Sequence, residues 1–269
     1  MTSLPAELSK VVDVEKPSAA RVYDYYLGGN CNFAADRELA KKVAVALPGV
    51  NEVARINRAF LGRAVRYCVK AGIRQFLDIG SGVPTVGNVH EVAQQLEPSS
   101  RVVYVDNEPV AVAHSELILE DNDLAEVVHA DLRDPRSVLE SPHTRALIDF
   151  DQPVAVLMVA LLHFIPDSDR PLDVIATYRD RLAPGSMLAI SHVTDESLTE
   201  GMHRLVEYYA SSANPVTMRK RPEVESLFSG LDLVEPGVVW APEWQPEAPE
   251  SVGPAPENSG IYAGVGLKS

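Results

Sequence analysis

Three carboxylates and a pair of glycines hold the residue types from which a binding site could be built. In Arg74-Gln75-Phe76-Leu77-Asp78-Ile79-Gly80-Ser81-Gly82 an apolar run ends in two glycines one residue apart. A buried parallel strand reads this way, and glycine lets the turn after it take a left-handed backbone and lets a ligand approach the main chain. A dinucleotide turn would continue to a third glycine, but Pro84-Thr85 stand there. A phosphate loop would close on Gly-Lys-Ser or Gly-Lys-Thr, which is absent from this turn. Asp78 would repel a pyrophosphate and attract an ammonium, so the turn suits a nucleoside ligand that carries an amino group. Arg101-Val102-Val103-Tyr104-Val105-Asp106 is a second strand, ending in a carboxylate 24 residues past Gly82. That is near the spacing at which an acid meets ribose hydroxyls in such folds. Glu126-Val127-Val128-His129-Ala130 is a third, running into Asp131-Leu132, where an acid can accept from an adenine amino group beside a backbone N–H. An Asp after a strand can also simply cap the next helix.

Strands and helices in alternation must hold these acids along one edge of a parallel sheet. Asn88 to Leu96 reads as the first crossover helix, and Pro109 suits the first turn of the second. Pro153 to Val159 is apolar throughout and should be a central strand, ending at Ala160-Leu161-Leu162-His163. Asp169 to Leu182, Thr199 to Ser212 and Arg221 to Phe228 read as helices, and Ser186 to His192 as a fifth strand. Leu231–Val234 and Val238–Trp240 are strand segments around Glu235-Pro236-Gly237, and Ile261 to Gly266 alternates as the last strand. Ser137 to Asp151 is expected to be an irregular connection, and the Pro- and Glu-rich Pro242 to Gly260 a solvated loop.

Ahead of the first strand, Glu52 to Ala71 is a long helix with Ile56, Phe60, Ala64 and Cys68 every four residues. Its arginines read as a solvated face, except that Asn57-Arg58 could reach a carboxylate in the cleft. Residues before about Lys16 carry little pattern and should drape over the surface. Arg21 to Arg37 packs three tyrosines and Gly28-Gly29 between polar residues; it reads either as a lid hinged at the glycines, whose aromatic faces attract a cation, or as a short helix capped by the glycines. The organisation is therefore an N-terminal segment and lid over residues 1–50 and a Rossmann-like domain over 51–269.

Composition narrows the function. The chain has 269 residues, 46% of them hydrophobic, and a formal charge of −14, which disfavours nucleic acid and anionic membranes as partners. Two cysteines, Cys31 and Cys68, make no disulfide framework and suit a reducing cytoplasm. The first residues lack a signal-peptide pattern, and the longest apolar run, Val154 to Leu162, is too short to span a bilayer. His90-Glu91-Val92-Ala93-Gln94 has half the pattern of a zinc-protease helix, but Gln94 replaces the second histidine, so no metal is expected. His163 and His192 end the fourth and fifth strands, where a base or a packed histidine would both fit.

These motifs resemble the actinobacterial family of S-adenosylmethionine-dependent methyltransferases once catalogued as a domain of unknown function. The resemblance is carried by Arg21-Val22-Tyr23-Asp24-Tyr25, Leu27-Gly28-Gly29, Asn32-Phe33-Ala34-Ala35-Asp36-Arg37, Asn57-Arg58-Ala59-Phe60-Leu61 and the Phe76–Thr85 turn with Asn88-Val89-His90-Glu91. Tyr104–Pro109, Ala130–Pro135, Leu162–Asp167 and Ala183–Ser186 complete it, so that it covers nearly the whole chain. Asn30-Cys31 departs from the Lys-Asp frequent in that family. The resemblance implies a class I methyltransferase fold: α/β, a doubly wound seven-stranded sheet, mostly parallel with an antiparallel last strand, under an N-terminal helical lid. It implies S-adenosyl-L-methionine as cofactor but does not supply the acceptor, which is expected to be an unidentified small molecule. Asp78, Gly80, Ser81, Gly82, Asp106, Asn107, Asp131, Leu132, Ala160 and His163 are the candidate cofactor residues, with His163 also the candidate base. Arg21, Tyr23, Tyr26, Gly28, Asn32 and Arg58 are the candidate lid or acceptor residues. The rival readings are a cofactor-binding regulator without methyl transfer and an NAD-linked oxidoreductase, the latter disfavoured by Thr85.

Overall fold

The computed structural model describes residues 12–85 and 87–269. The expectation of a draped start falls largely on residues 1–11, outside the described residues. Five parallel strands form the middle of the sheet: β1 (Gln75–Ile79), β2 (Arg101–Asp106), β3 (Ala125–His129), β4 (Ala155–Val159) and β5 (Met187–Val193). The late strands β6 (Asp232–Leu233) and β7 (Val239–Trp240) are two residues each, and β8 (Ile261–Leu267) inserts antiparallel beside β5. Seven strands run in the order β3-β2-β1-β4-β5-β8-β6. Where seven strands were expected, β7 adds an eighth, pairing with β8 off that path. The order reverses between β1 and β4, and ligands of open α/β sheets bind where the crevice opens at such a reversal.

Alternation along each strand feeds two cores, one on each face. Leu77 and Ile79 of β1, with Val156 and Met158 of β4, face one; Phe76, Ala155 and Leu157 face the other. The first is covered by α6 (Pro135–Leu139), α7 (Pro142–Leu147), α8 (Pro171–Arg181) and α10 (Arg221–Ser226), through Val138, Leu147, Ile175, Tyr178 and Val224. The second is covered by α3 (Val50–Lys70), α4 (Val89–Leu96) and α5 (Pro109–Leu119), through Phe60, Val65, Ala93 and Val112. Helices on both faces are what continuous apolar strands require.

Two expectations are corrected. The connection after β3 is not irregular but carries α6 and α7, each opened by a proline at its first position behind Asp134 and Ser141. Proline there starts a helix, although in a sequence it reads as a breaker. Nor is the Pro- and Glu-rich stretch before β8 wholly solvated. Trp244 is fully buried against Phe60 and Tyr67. Arg63, on the supposedly solvated face of α3, pins this stretch by donating to the carbonyls of Trp244 (2.9 Å) and Ala241 (2.6 Å).

A third core stands off the sheet. α1 (Ala19–Tyr26), α2 (Ala34–Ala46), the first turns of α3 and the distant α9 (Thr199–Tyr209) share Val22, Tyr26, Leu39, Val43, Val50, Ala54, Met202 and Tyr209. It forms a helical cap over the carboxyl edge of the strands.

Candidate active site

A cavity of about 340 Å³ opens between that strand edge and the cap, within the range usual for small-ligand sites. Asp78, Gly80, Ser81, Gly82, Asp106, Asn107, Asp131, Leu132, Ala160, His163, Tyr23, Tyr26 and Arg58 all line it.

The glycine turn is held by β2. Gly80 and Ser81 N–H donate to the Val105 carbonyl (2.8 and 3.2 Å), and Gly82 N–H donates to Asp106 Oδ2 (2.7 Å). Both glycines have positive φ, +69° and +68°. A Cβ on Gly80 would lie 2.4 Å from Leu161, whereas one on Gly82 would point into open space. The first glycine is required by packing and the second leaves a cradle that a ligand can enter.

The carboxylates are unusually reluctant to ionise. Burial pushes Asp78 up to about 7, against the pull of the Arg58 guanidinium and with a push from Asp106. Burial likewise raises Asp106 to about 6, although the N–H groups of Glu108 and Gly82 hold its charged form. Asp131 behaves oppositely: hydrogen bonds from Arg133 hold it below the ordinary carboxylate range. Arg133 Nη2 reaches Asp131 at 2.6 Å and Arg133 Nη1 reaches Asp169 at 3.0 Å.

Arg58 reaches from α3 to donate to Thr85 Oγ1 (2.6 Å). Its Nε, with Ser81 Oγ and His163 Nδ1, is buried without a hydrogen-bond partner among the described residues. The Tyr26 hydroxyl is orphaned as well, and four such polar atoms on the side chains of one cavity fit a ligand that supplies partners for them. The residues suit S-adenosylmethionine: acids for an ammonium, ribose and adenine, Arg58 for a carboxylate, and an open cradle at Gly82.

Past the glycine turn, β4 ends at Ala160, a non-glycine residue with φ +55°. Its N–H donates to Ser191 Oγ (2.8 Å), which donates to Asn57 Oδ1 (2.5 Å). Asn57 Nδ2 donates to the Tyr23 hydroxyl (2.9 Å), which donates to the Ala54 carbonyl (3.0 Å). One polar chain thus ties the strand ends to α3 and α1 and holds Ala160 in a conformation costing about 1–3 kcal/mol.

The two candidate histidines part company. Burial, then neighbouring His192 and Arg219, hold His163 well below the usual histidine range, so it is a neutral ring in the cavity wall. His192 is lowered by burial to about 3 and is not in the lining. Its Nε2 accepts from Arg219 (2.9 Å), so its Nδ1 donates to the Val193 carbonyl (2.7 Å). It is a packing residue.

Arg21, Gly28 and Asn32, three of the candidate lid or acceptor residues, are not in the lining. Arg21 is buried and pairs with Asp36 (2.9 Å) and Glu108 (3.0 Å). Gly28 and Gly29 end α1, and a Cβ on Gly29 would collide with Asp24, whose Oδ2 accepts from Asn32 and Cys31. The glycines are a helix cap and not a hinge. Cys31, at the departure from the family pattern, sits with its Sγ 3.1 Å from His114 Nε2, also outside the lining. Tyr209, Met202 and Leu205 of α9 escaped the sequence reading, although they form an apolar stripe at helical spacing. What the stripe faces could not be told without the cap.

Such a sheet and such a crevice define a class I S-adenosylmethionine-dependent methyltransferase. The chain belongs to the S-adenosyl methyltransferase family, whose model matches residues 5–269. It is 38% identical to a DUF574 family protein from Streptomyces avermitilis MA-4680, covering 96% of this chain and 99% of that one, with a TM-score of 0.91. It is 40% identical to a solved structure from Thermobifida fusca YX, with both chains fully covered and a TM-score of 0.92. An O-methyltransferase family protein from Burkholderia thailandensis, 16% identical over 98% of this chain and 67% of that one (TM-score 0.53), shares the fold. No curated protein matches the chain. Among the described residues no helix is long and apolar enough to cross a membrane.

A pH dependence follows from the two raised acids. Their ionised forms would attract an ammonium and accept from a ribose, yet burial holds them largely protonated below about 7 and about 6 respectively. Affinity for S-adenosylmethionine should therefore rise with pH through 6–7, by up to about tenfold per unit for each proton released, and level off above. Calorimetry in buffers of different ionisation enthalpy would read the released protons directly. A flat affinity between pH 5.5 and 7.5 would contradict the assignment.

Proposed function

We propose that the protein methylates a small-molecule acceptor, held between the strand edge and the helical cap. The observation that carries this reading is the continuity of the cavity, from the Gly82 cradle past Ala160 to Tyr209 and Val216. Bound S-adenosylmethionine supplies an activated methyl group. The chain's own residues bind and orient: Asp106 takes the ribose hydroxyls, Asp131 and Leu132 the adenine, Asp78 the ammonium and Arg58 the carboxylate. His163 shapes the wall beside the acceptor as a neutral hydrogen-bonding ring. Because a sulfonium leaves as a neutral thioether, positioning and exclusion of water supply most of the rate.

Residues 12–50, the first turns of α3 and α9 form the cap, and the rest of 51–269 forms the cofactor-binding body. The charge of −14 argues against nucleic acid or an anionic membrane as partner, and the free cysteines suit a cytoplasmic setting.

Incubation with methyl-labelled S-adenosylmethionine and a cell extract split by size tests the proposal. Label should appear in the low-mass fraction. Label confined to protein or RNA would overturn the small-molecule acceptor, and cofactor binding with no label anywhere would favour a regulator instead.

A further inference from the structure

The distribution of charge around the cavity is one-sided. Every charged side chain in its lining, namely Arg58, Asp78, Asp106, Glu108, Asp131, Arg133 and Asp169, stands on α3 or at the carboxyl ends of β1 to β4 and the loops after them. Most already have partners. Glu108 pairs with Arg21, Asp131 and Asp169 share Arg133, and Asp106 accepts two backbone N–H groups. The cap contributes no charge to the lining: Leu47, Val50, Met202, Leu205 and Val216 are apolar. Asn214, its amide side chain, accepts from the Ala19 N–H at Oδ1 (3.0 Å) and carries no charge.

This half of the cavity also has an aromatic wall. The His163 and Phe164 rings lie 4.2 Å apart, and Phe164 faces Tyr209 at 6.0 Å with the planes 33° apart. His163 Nδ1 and, on the cap, the Tyr26 hydroxyl are orphaned polar atoms on this side, both of them neutral groups. With the ring held neutral, it can meet a neutral hydrogen-bonding group but gives an ion no counter-charge.

Resting on the methyltransferase reading above, we propose that the acceptor subsite takes a neutral, largely apolar, ring-sized molecule that presents a hydroxyl to His163. A cation or an anion in this half would be desolvated without a partner, which costs several kcal/mol. A neutral ring would bury its faces against Phe164 and Tyr209, with offset or edge contacts available.

The test uses the intact protein saturated with S-adenosylhomocysteine, whose own binding is measured first. Three probes of one shape are then titrated at pH 7: 2-naphthol, 2-naphthylmethylammonium and 2-naphthoate, with naphthalene as the hydroxyl-free control. The naphthol should bind at least about tenfold tighter than either ion and several-fold tighter than naphthalene. His163→Phe, titrated with the probes at its own saturating concentration of S-adenosylhomocysteine, should abolish the second preference. Leu205→Glu, at a half-buried position of α9, should turn the charge preference toward the ammonium; Leu205→Gln, without the charge, should not. Equal or tighter binding of either ion, or S-adenosylhomocysteine bound with no probe binding, would overturn the inference. Failure of S-adenosylhomocysteine itself to bind would instead overturn the methyltransferase reading on which it rests.

Discussion

Asp106→Ala should weaken binding of S-adenosylmethionine by about 1.5–3 kcal/mol, roughly 10- to 150-fold. The side chain is 7% exposed and does two jobs at once. Its carboxylate ends β2 on the rim of the cavity, where two acceptor oxygens suit a pair of neighbouring hydroxyls. The same oxygens hold the site together, Oδ2 accepting from Gly82 N–H and Oδ1 from Glu108 N–H (2.8 Å). Alanine removes the proposed contact to the ribose and one of the three hydrogen bonds that tie the glycine turn to β2. Asp106→Asn keeps one acceptor oxygen and should lose less. Calorimetry on folded variants decides the matter: an unchanged affinity in Asp106→Ala would remove this residue from the cofactor site.

Arg219→Ala should be the most destabilising single change near the site, costing on the order of 3 kcal/mol. Arg219 is 5% exposed and none of the sequence motifs drew attention to it. Its guanidinium donates to the carbonyls of Leu162 and Ile165 (both 2.9 Å), to Asp167 (2.6 Å) and to His192 Nε2. It therefore holds the turn that carries His163 and Phe164 against β5. Truncation leaves two buried carbonyls and a buried imidazole nitrogen unsatisfied. For a chain of this size the melting temperature should fall by roughly 6–12 °C, and the aromatic wall should loosen. Arg219→Lys should recover only part of the loss, since an ammonium cannot reproduce the planar fork. A variant melting like the parent would show that the turn is held by something else.

Most of the sheet was legible because strand signals in a parallel sheet are local. The apolar runs before Asp78, Asp106 and Ala160 announce buried strands, and the strand bounds over Arg101–Asp106 agree to the residue. The rim acids were legible for the same reason, each lying at or just beyond a strand end whose direction the alternation of elements determines. What escaped was long-range. The apolar stripe of α9 is visible as a stripe, but nothing local says that it packs on α2. Arg21 reads as polar reach toward a ligand, yet it is spent on Asp36 and Glu108 because those acids arrive from other elements. Gly28-Gly29 fits a hinge and a cap equally well until Asp24 is seen folded back against Gly29. The prolines of α6 and α7 and the buried Trp244 show the same limit, since composition describes a segment and not what covers it.

The cap has a consequence for how the chain is made. Its core joins α1 and α2 to α9, which follows them roughly 160 residues later in the chain. At ordinary elongation rates of about 5–20 residues per second, that interval is on the order of 8–32 s. Throughout it, Leu39, Val43 and the rest of the N-terminal stripe lack the partner that finally buries them. These two helices leave the ribosome well before α9 and are thus among the last to be completed. An apolar surface waiting that long is exposed to association with other nascent chains and to chaperones.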